Sequence, residues 1–186
     1  MPSLPRLTDP LASPRVLIRD AAERDIPETL IAYQDDPELH LRMGEDRPPS
    51  GAELGRWAEA EAADRAAGVR AALTVLEPGS DVCVGQVYVH HLDWEHRRAE
   101  LGMWLAPGVR GRGLGSETLR LVGAWLLGAC GMLRLQLLTE PENEPMLRAA
   151  RAAGFVREGV LRGYLQERRG RVDVAILSLL PDDLRA

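Results

Sequence analysis

The chain has 186 residues, 45% hydrophobic and 27% charged, which suits one globular domain with a sizeable core. All 23 basic residues are arginines, so a Walker phosphate loop, which needs a lysine, is excluded. No basic patch interleaved with aromatics points to nucleic acid, and no apolar run is long enough to cross a membrane.

The net charge of −5 is unevenly spread, with −8 over residues 1–100 and +3 over residues 101–186. An acidic half beside a basic half suggests two ligands of opposite sign, an anion and a cationic amine. Solvated acidic helix faces would give much of the same count.

Residues 1–13 read as a loose, proline-broken leader without the apolar segment of a signal peptide. A reducing cytoplasm is the expected compartment, with Cys83 and Cys130 as free thiols. Arg15 to Arg19 reads as the first strand. A helix follows at about Asp25 to Gln34, with Ile26, Leu30 and Ile31 on one face. The next stretch, from Asp35 to Pro49, is acidic and irregular. Ser50 and Glu53 form a capping box for a helix that runs to about Ala67.

Arg70 to Leu76, Val82 to Leu92 and Arg97 to Leu105 read as a three-strand meander. It leads into Gly108, Gly111, Gly113 and Gly115, then a helix from Gly113 to about Cys130. Leu133 to Thr139 is a strand, Asn143 to Ala153 a short helix. Phe155 to Tyr164 and Val172 to Leu180 form the last hairpin, around the polar turn Glu167 to Arg171.

The glycine-rich loop is the part most suggestive of function. Glycines allow positive φ and close approach of the backbone, and a helix start offers unpaired N–H groups and partial positive charge. Together they make an anion site, to which Arg110 and Arg112 add charge. A dinucleotide fingerprint, Gly-x-Gly-x-x-Gly, misses its third glycine at Ser116 or Thr118, although Glu140 could imitate its ribose-binding acid. A turn with no ligand is the plain alternative.

Arg110-x-x-Gly113-x-Gly115 resembles the Q/R-x-x-G-x-G/A signature of the GCN5-related N-acetyltransferases (GNAT). The resemblance extends over residues 14–182. It is carried also by Arg15-x-x-Ile18-Arg19, by Glu100 to Leu105, by Asn143 with Gly154-Phe155 eleven and twelve residues on, and by Glu158-Gly159-x-Leu161-Arg162 with Asp173. Within the superfamily it is similar to the group of ribosomal-protein N-terminal acetyltransferases. The resemblance implies a single α/β domain, an α+β mixed sheet of about seven mostly antiparallel strands with about four helices. The sheet is splayed between its fourth and fifth strands, here 98–105 and 133–139. It further implies acetyl-CoA as acyl donor in that opening. Backbone groups of Met103, Trp104 and Leu105 would meet its pantetheine arm. Arg110, Gly111, Arg112, Gly113, Leu114, Gly115 and Ser116 would hold its diphosphate, and Asn143 would reach the arm or merely cap its helix.

The implied activity is transfer of acetyl from acetyl-CoA to a primary amine, a protein N-terminus or a small amine, by direct attack. A larger acyl group such as succinyl stays open. Alternatives are a non-catalytic CoA-binding regulator of the same fold and a nucleotide-dependent oxidoreductase. Relatives often form homodimers.

A protonated amine must lose a proton before it attacks. Glu100 is the first choice of base, with an acid between Asp20 and Asp46, or Asp93 or Glu95, as substitutes; a structural pairing of Glu100 with a nearby arginine is the alternative. Many relatives carry a tyrosine general acid where this chain has Ala150, and several carry a serine at the position of Met146. Tyr164 could donate the proton or be an ordinary hairpin tyrosine. His90 and His91, as strand neighbours, should point to opposite faces, so no metal site is expected. Trp94 and Trp104 could line the cleft or pack in the core.

Overall fold

The computed structural model describes residues 3–167 and 170–185. The strands are β1 (Leu11–Ala12), β2 (Leu17–Asp20), β3 (Ala71–Leu76), β4 (Cys83–Asp93), β5 (Arg98–Leu105), β6 (Arg134–Thr139), β7 (Val156–Glu167) and β8 (Gly170–Leu179). The helices are α1 (Ile26–Asp35), α2 (Leu39–Arg42), α3 (Gly51–Ala66), α4 (Leu114–Gly128) and α5 (Glu144–Ala152). One sheet holds all the strands in the order β1-β2-β3-β4-β5-β6-β8-β7. Every neighbouring pair is antiparallel except β5 and β6.

The expected strands and helices are all present. The additional strand is β1, and the additional helix is α2, a single turn within the stretch expected to be irregular. The tip of the last hairpin, 168–169, lies outside the described residues. The Ser50–Glu53 capping box forms, with Ser50 N–H donating to Glu53 Oε2 at 2.8 Å and Glu53 N–H to Ser50 Oγ at 3.3 Å.

Residues 4–12 are not loose. Leu4 is buried in the main core, and Arg65 donates to the Pro5 carbonyl at 2.8 Å. Arg65 itself is almost wholly buried and pairs with Asp20 at 2.9 Å and Glu61 at 2.7 Å. A leader that supplies a partner to a buried guanidinium is part of the fold, because that charge would otherwise lack compensation.

The alternation of β4 and β5 divides the sheet into two faces. Val87, Val89, Leu101 and Met103 join the large aliphatic core under α4 and α5. Trp104, with Tyr88 beside it, faces the other side, against Tyr33 of α1 and Leu39 of α2. Helix α4 buries Leu114, Thr118, Leu119, Val122, Gly123, Trp125, Leu126 and Leu127 against the sheet. Gly123 is a close-approach glycine: a Cβ there would lie 2.7 Å from Leu179 Cδ2, so α4 crosses low over β8.

Candidate active site

Strands β5 and β6 pair only at Arg98, Ala99 and Glu100, opposite Arg134, Leu135 and Gln136. Beyond Glu100, β5 continues to Leu105 on β4 alone, while β6 continues to Thr139 on β8 alone. The sheet therefore opens into a V whose two inner edges have no strand partner.

The glycine-rich loop and the start of α4 follow directly from the end of β5. Gly111 and Gly113 take φ of +75° and +82°, a region costly for residues with a Cβ. Gly113 is the N-cap of α4. Among the described residues, no backbone N–H from Gly111 to Ser116 has a protein acceptor. Six consecutive donors are thus free beside the V, with the positive end of a long helix behind them. Gly115 lies against Leu105, Met103 and Ala149, at contact distances of 3.5–3.7 Å from a notional Cβ. The loop is thereby packed onto the end of β5 and onto α5.

The arginines of the motif point elsewhere. Arg110 donates to the Leu105 carbonyl at 2.8 Å and to Asp36 Oδ2 at 2.5 Å. Asp36, at the end of α1, also pairs with Arg42 of α2. Burial acts to raise the Asp36 carboxyl, but hydrogen bonds from Arg42 and Arg110 outweigh it and hold the group below the ordinary carboxylate value. Arg112 pairs with Glu77 at 2.6 Å. The guanidinium that does lie against the loop is Arg15: its Nη1 is 2.7 Å from where a Gly113 Cβ would sit. Arg15 is exposed and makes no ion pair among the described residues. Nothing in the sequence singles it out for this role, because it lies nearly a hundred residues before the loop.

Other expected residues divide by side chain and backbone. Met103, Trp104 and Leu114 are buried, with side chains in the cores, so only their backbone can face a ligand. Ser116 turns its hydroxyl back onto the Gly113 carbonyl at 2.9 Å. Asn143 caps α5, accepting from Met146 N–H at 3.2 Å and donating to Thr139 Oγ1 at 3.0 Å. It thus stands at the far end of β6, on the opposite arm of the V. Trp94 packs on the core and donates to the Gly68 carbonyl at 2.8 Å. Tyr164 is half-exposed on β7, the outer strand, with β8 and β6 between it and β5. Ala150 is fully buried in α5.

Glu100 sits where the two strands part. It is nearly buried, and Gln136 Nε2, its neighbour across the last β5–β6 pair, donates to Oε2 at 3.0 Å. No arginine pairs with it among the described residues. The expectation that His90 and His91 face opposite sides fails. The β4–β5 register breaks between His90 and Asp93, and His91 takes φ of +48°. This bulge cancels the alternation of a regular strand. His91 Nδ1 thus lies 3.1 Å from His90 Nδ1 and 3.4 Å from Glu100 Oε2, while His90 Nδ1 is 3.9 Å from Glu100 Oε1. Burial lowers the His90 imidazole, against the pull of Glu100.

A cavity of about 350 Å³ opens on this face of the sheet, lined by Met43, Glu45, Trp57, Gln86, Tyr88 and His90 among others. His90 is the link between the cavity and Glu100. Burial raises the Glu45 carboxyl, with Tyr33 opposing through a hydrogen bond, and Glu45 Oε2 is buried without a partner. Glu45 belongs to the acidic stretch that the sequence offers as a source of a base; periodicity could not single it out, because the one helix in that stretch, α2, is a single turn and ends before it.

The comparisons with known proteins agree with this architecture. The chain is 28% identical over 107 residues to the uncharacterised N-acetyltransferase p20 of Bacillus licheniformis, over 58% of this chain and 60% of that protein. It is 31% identical over 97 residues to the uncharacterised N-acetyltransferase YoaA of Bacillus subtilis, over 52% and 55%. The matches span 60% or less of the length of these curated relatives. Among solved structures, RimJ of Mycobacterium smegmatis in complex with CoA-disulfide superposes with a TM-score of 0.82 at 21% identity, over 95% of this chain and 88% of that one. The ribosomal-protein-S5-alanine acetyltransferase of Vibrio fischeri superposes with a TM-score of 0.80 at 15% identity, over 95% and 99%. A family model described as an acetyltransferase (GNAT) domain matches residues 15–156, well over half of the sequence. The chain therefore belongs to the GNAT acetyltransferase family.

Proposed function

We propose that the protein transfers an acetyl group from acetyl-CoA to a primary amine by direct attack. The observation that carries this reading is the conjunction of the parted β5 and β6 with six unpaired N–H groups at the adjoining loop and helix start. Such donors suit a diphosphate, and an unpaired strand edge suits the amides of a pantetheine arm. That a solved structural neighbour was captured with CoA-disulfide supports the same donor class. The backbone from Gly111 to Ser116 supplies the anion cradle. Arg15 supplies the neighbouring charge, and Arg112 can join it because a surface ion pair holds it by only about 0–1 kcal/mol. Arg110 stays on Asp36 as a latch. Met103 to Leu105 offer backbone groups to the thioester end, and Asn143 flanks the arm from β6.

The acceptor enters from the cavity on the α1 and α3 side. Its partly buried Glu45 favours a cationic amine there, in keeping with the acidic N-terminal half. Glu100, at the apex of the V, takes one proton from the ammonium, directly or through water; the neutral nitrogen then bonds to the thioester carbon, and its second proton passes to water as the tetrahedral centre collapses. The carbonyl oxygen gains charge and is met by backbone N–H of the β5 edge. The C–S bond then breaks. With a thiol pKa near ~8.5, the sulfur leaves as thiolate without a dedicated acid. This accommodates Ala150 and the remote position of Tyr164. The members of the group that act on ribosomal proteins make a protein N-terminus the first acceptor class to test, ahead of small amines.

Thermal shift with acetyl-CoA and NAD tests the donor, since a ligand at 100 times its Kd stabilises by roughly 2.7 kcal/mol. Acetyl-CoA should raise the melting temperature and NAD should not; the reverse result overturns the reading. Mass-detected acetylation of N-terminal peptides and small amines then separates an enzyme from a CoA-binding regulator. Glu100→Gln should lower turnover far more than acetyl-CoA affinity, and equal effects on both would remove Glu100 as base.

A further inference from the structure

We propose that His90, His91 and Glu100 form a binding site for a first-row transition-metal dication of the zinc kind, on the acceptor side of the point where β5 and β6 part. The two Nδ1 atoms lie 3.1 Å apart, Glu100 Oε2 is 3.4 Å from His91 Nδ1 and Oε1 is 3.9 Å from His90 Nδ1, and one ligand atom from each residue falls within 4.8 Å of the other two. Zinc bonds of ~2.0–2.1 Å at tetrahedral angles place neighbouring donors about 3.3–3.5 Å apart. Two imidazole nitrogens and one carboxylate oxygen suit zinc and its neighbours in the first row. Magnesium and calcium prefer oxygen-only sets.

The convergence is hard to explain as hydrogen bonding alone. The contact between the two Nδ1 atoms is the only hydrogen bond of these two imidazoles among the described residues. Glu100 Oε2 already accepts from Gln136. One Nδ1 hydrogen can serve the pair of rings, and the Glu100 oxygens at 3.4 and 3.9 Å make no hydrogen bond to either, so the carboxylate is drawn up to the imidazoles without a hydrogen bond to hold it there. The backbone is also strained to bring it about. His91 holds a left-handed φ of +48° beside a break in strand register, and without that bulge its ring would lie on the other face of the sheet. Gln136 fixes the carboxylate as an outer partner to a metal ligand does. With three protein ligands, a fourth position stays open to water or an incoming group.

An ion so placed would hold the carboxylate that the proposed reaction uses as base. Loading the site would therefore turn acetyl transfer down, a consequence that rests on the acetyl-transfer reading; the binding itself does not.

The test strips the full chain with a chelator and titrates it with Zn2+ by calorimetry and with Co2+ by visible absorption. One ion per chain is expected, with the spectrum of a tetrahedral nitrogen–oxygen complex and no thiolate band. His91→Gly and Glu100→Gln should each weaken Zn2+ binding by at least about tenfold, and His96→Ala should leave it unchanged. His91→Gly is the decisive variant, because glycine accepts the left-handed backbone. A merely structural histidine predicts a variant as stable as the parent that binds Zn2+ equally well, which would overturn the proposal. So would the absence of Zn2+ binding by the parent, or an equal loss in His96→Ala. In the activity arm, Zn2+ should suppress acetylation in the parent and not in His91→Gly. Binding without suppression refutes the inhibitory consequence alone. A protein that binds Zn2+ but never acetylates refutes the acetyl-transfer reading and leaves the site standing.

Discussion

The guanidinium of Arg15 lies so close over Gly113 that a Cβ there would sit 2.7 Å from Nη1. Arg15, two residues before β2, and the N-cap of α4 thus share one spot, the mouth of the anion cradle. Gly113→Ala should cost about 1–2 kcal/mol from its left-handed φ of +82°. It should also push Arg15 aside and weaken acetyl-CoA. Arg15→Gln, at an exposed position, should change stability by less than about 0.5 kcal/mol, yet weaken acetyl-CoA by roughly tenfold, more so at low ionic strength. Calorimetric titration at two salt concentrations checks both. Unchanged affinity in Arg15→Gln would remove that residue from the site.

The two motif arginines should part company when replaced. Arg112→Ala breaks a surface pair with Glu77 and should leave stability untouched, with any effect confined to acetyl-CoA affinity. Arg110→Ala leaves the largely buried Asp36 with Arg42 alone and frees the Leu105 carbonyl. It should cost about 1–2 kcal/mol and loosen α2, seen as faster amide exchange over residues 36–43. Equal melting temperatures for the two variants would refute the distinction.

Asp25 should dominate the acid limit of stability. It is buried at the N-cap of α1, bridged by Arg19 at 2.9 and 2.6 Å and by the Thr74 hydroxyl at 2.6 Å. Burial acts to raise its carboxyl, but the hydrogen bonds from Arg19, Thr74 and Ala22 N–H prevail and leave it lowered. A carboxylate lowered in the folded state stabilises fully above its unfolded value, near ~3.9, and that contribution is lost as pH falls through the folded value. Asp25→Ala should therefore destabilise by about 3–5 kcal/mol at neutral pH. The gap to the parent should narrow progressively below about pH 4. Urea melts across this range would expose a constant gap if the effect were packing alone.

The thiols should be silent in the folded protein. Burial pushes Cys83 up to about 12 and Cys130 to about 11, and both are unpaired. At pH 8 a disulfide reagent should label neither on the timescale of an assay, and two per chain once urea is added. Rapid labelling of the native protein would show that Cys130, the less buried of the two, is accessible.

The sequence by itself determined the order and kind of nearly every element. Hydrophobic period, the Ser50–Glu53 box and glycine punctuation act over a few residues and survive any tertiary arrangement. The same holds for the loop from Arg110 to Ser116, whose glycines are needed wherever it lands. Only the tertiary structure decided which charges meet. It turned Arg110 onto Asp36 and Arg112 onto Glu77, brought Arg15 to Gly113, and folded the leader under Arg65. Ion pairs join groups distant in the chain and leave no periodic trace. It also decided the His90–His91–Glu100 convergence, because a single bulge reverses the facing of a side chain. The parting of β5 from β6 after Glu100 is tertiary for a like reason: each strand's alternation is the same whether or not a partner lies beside it.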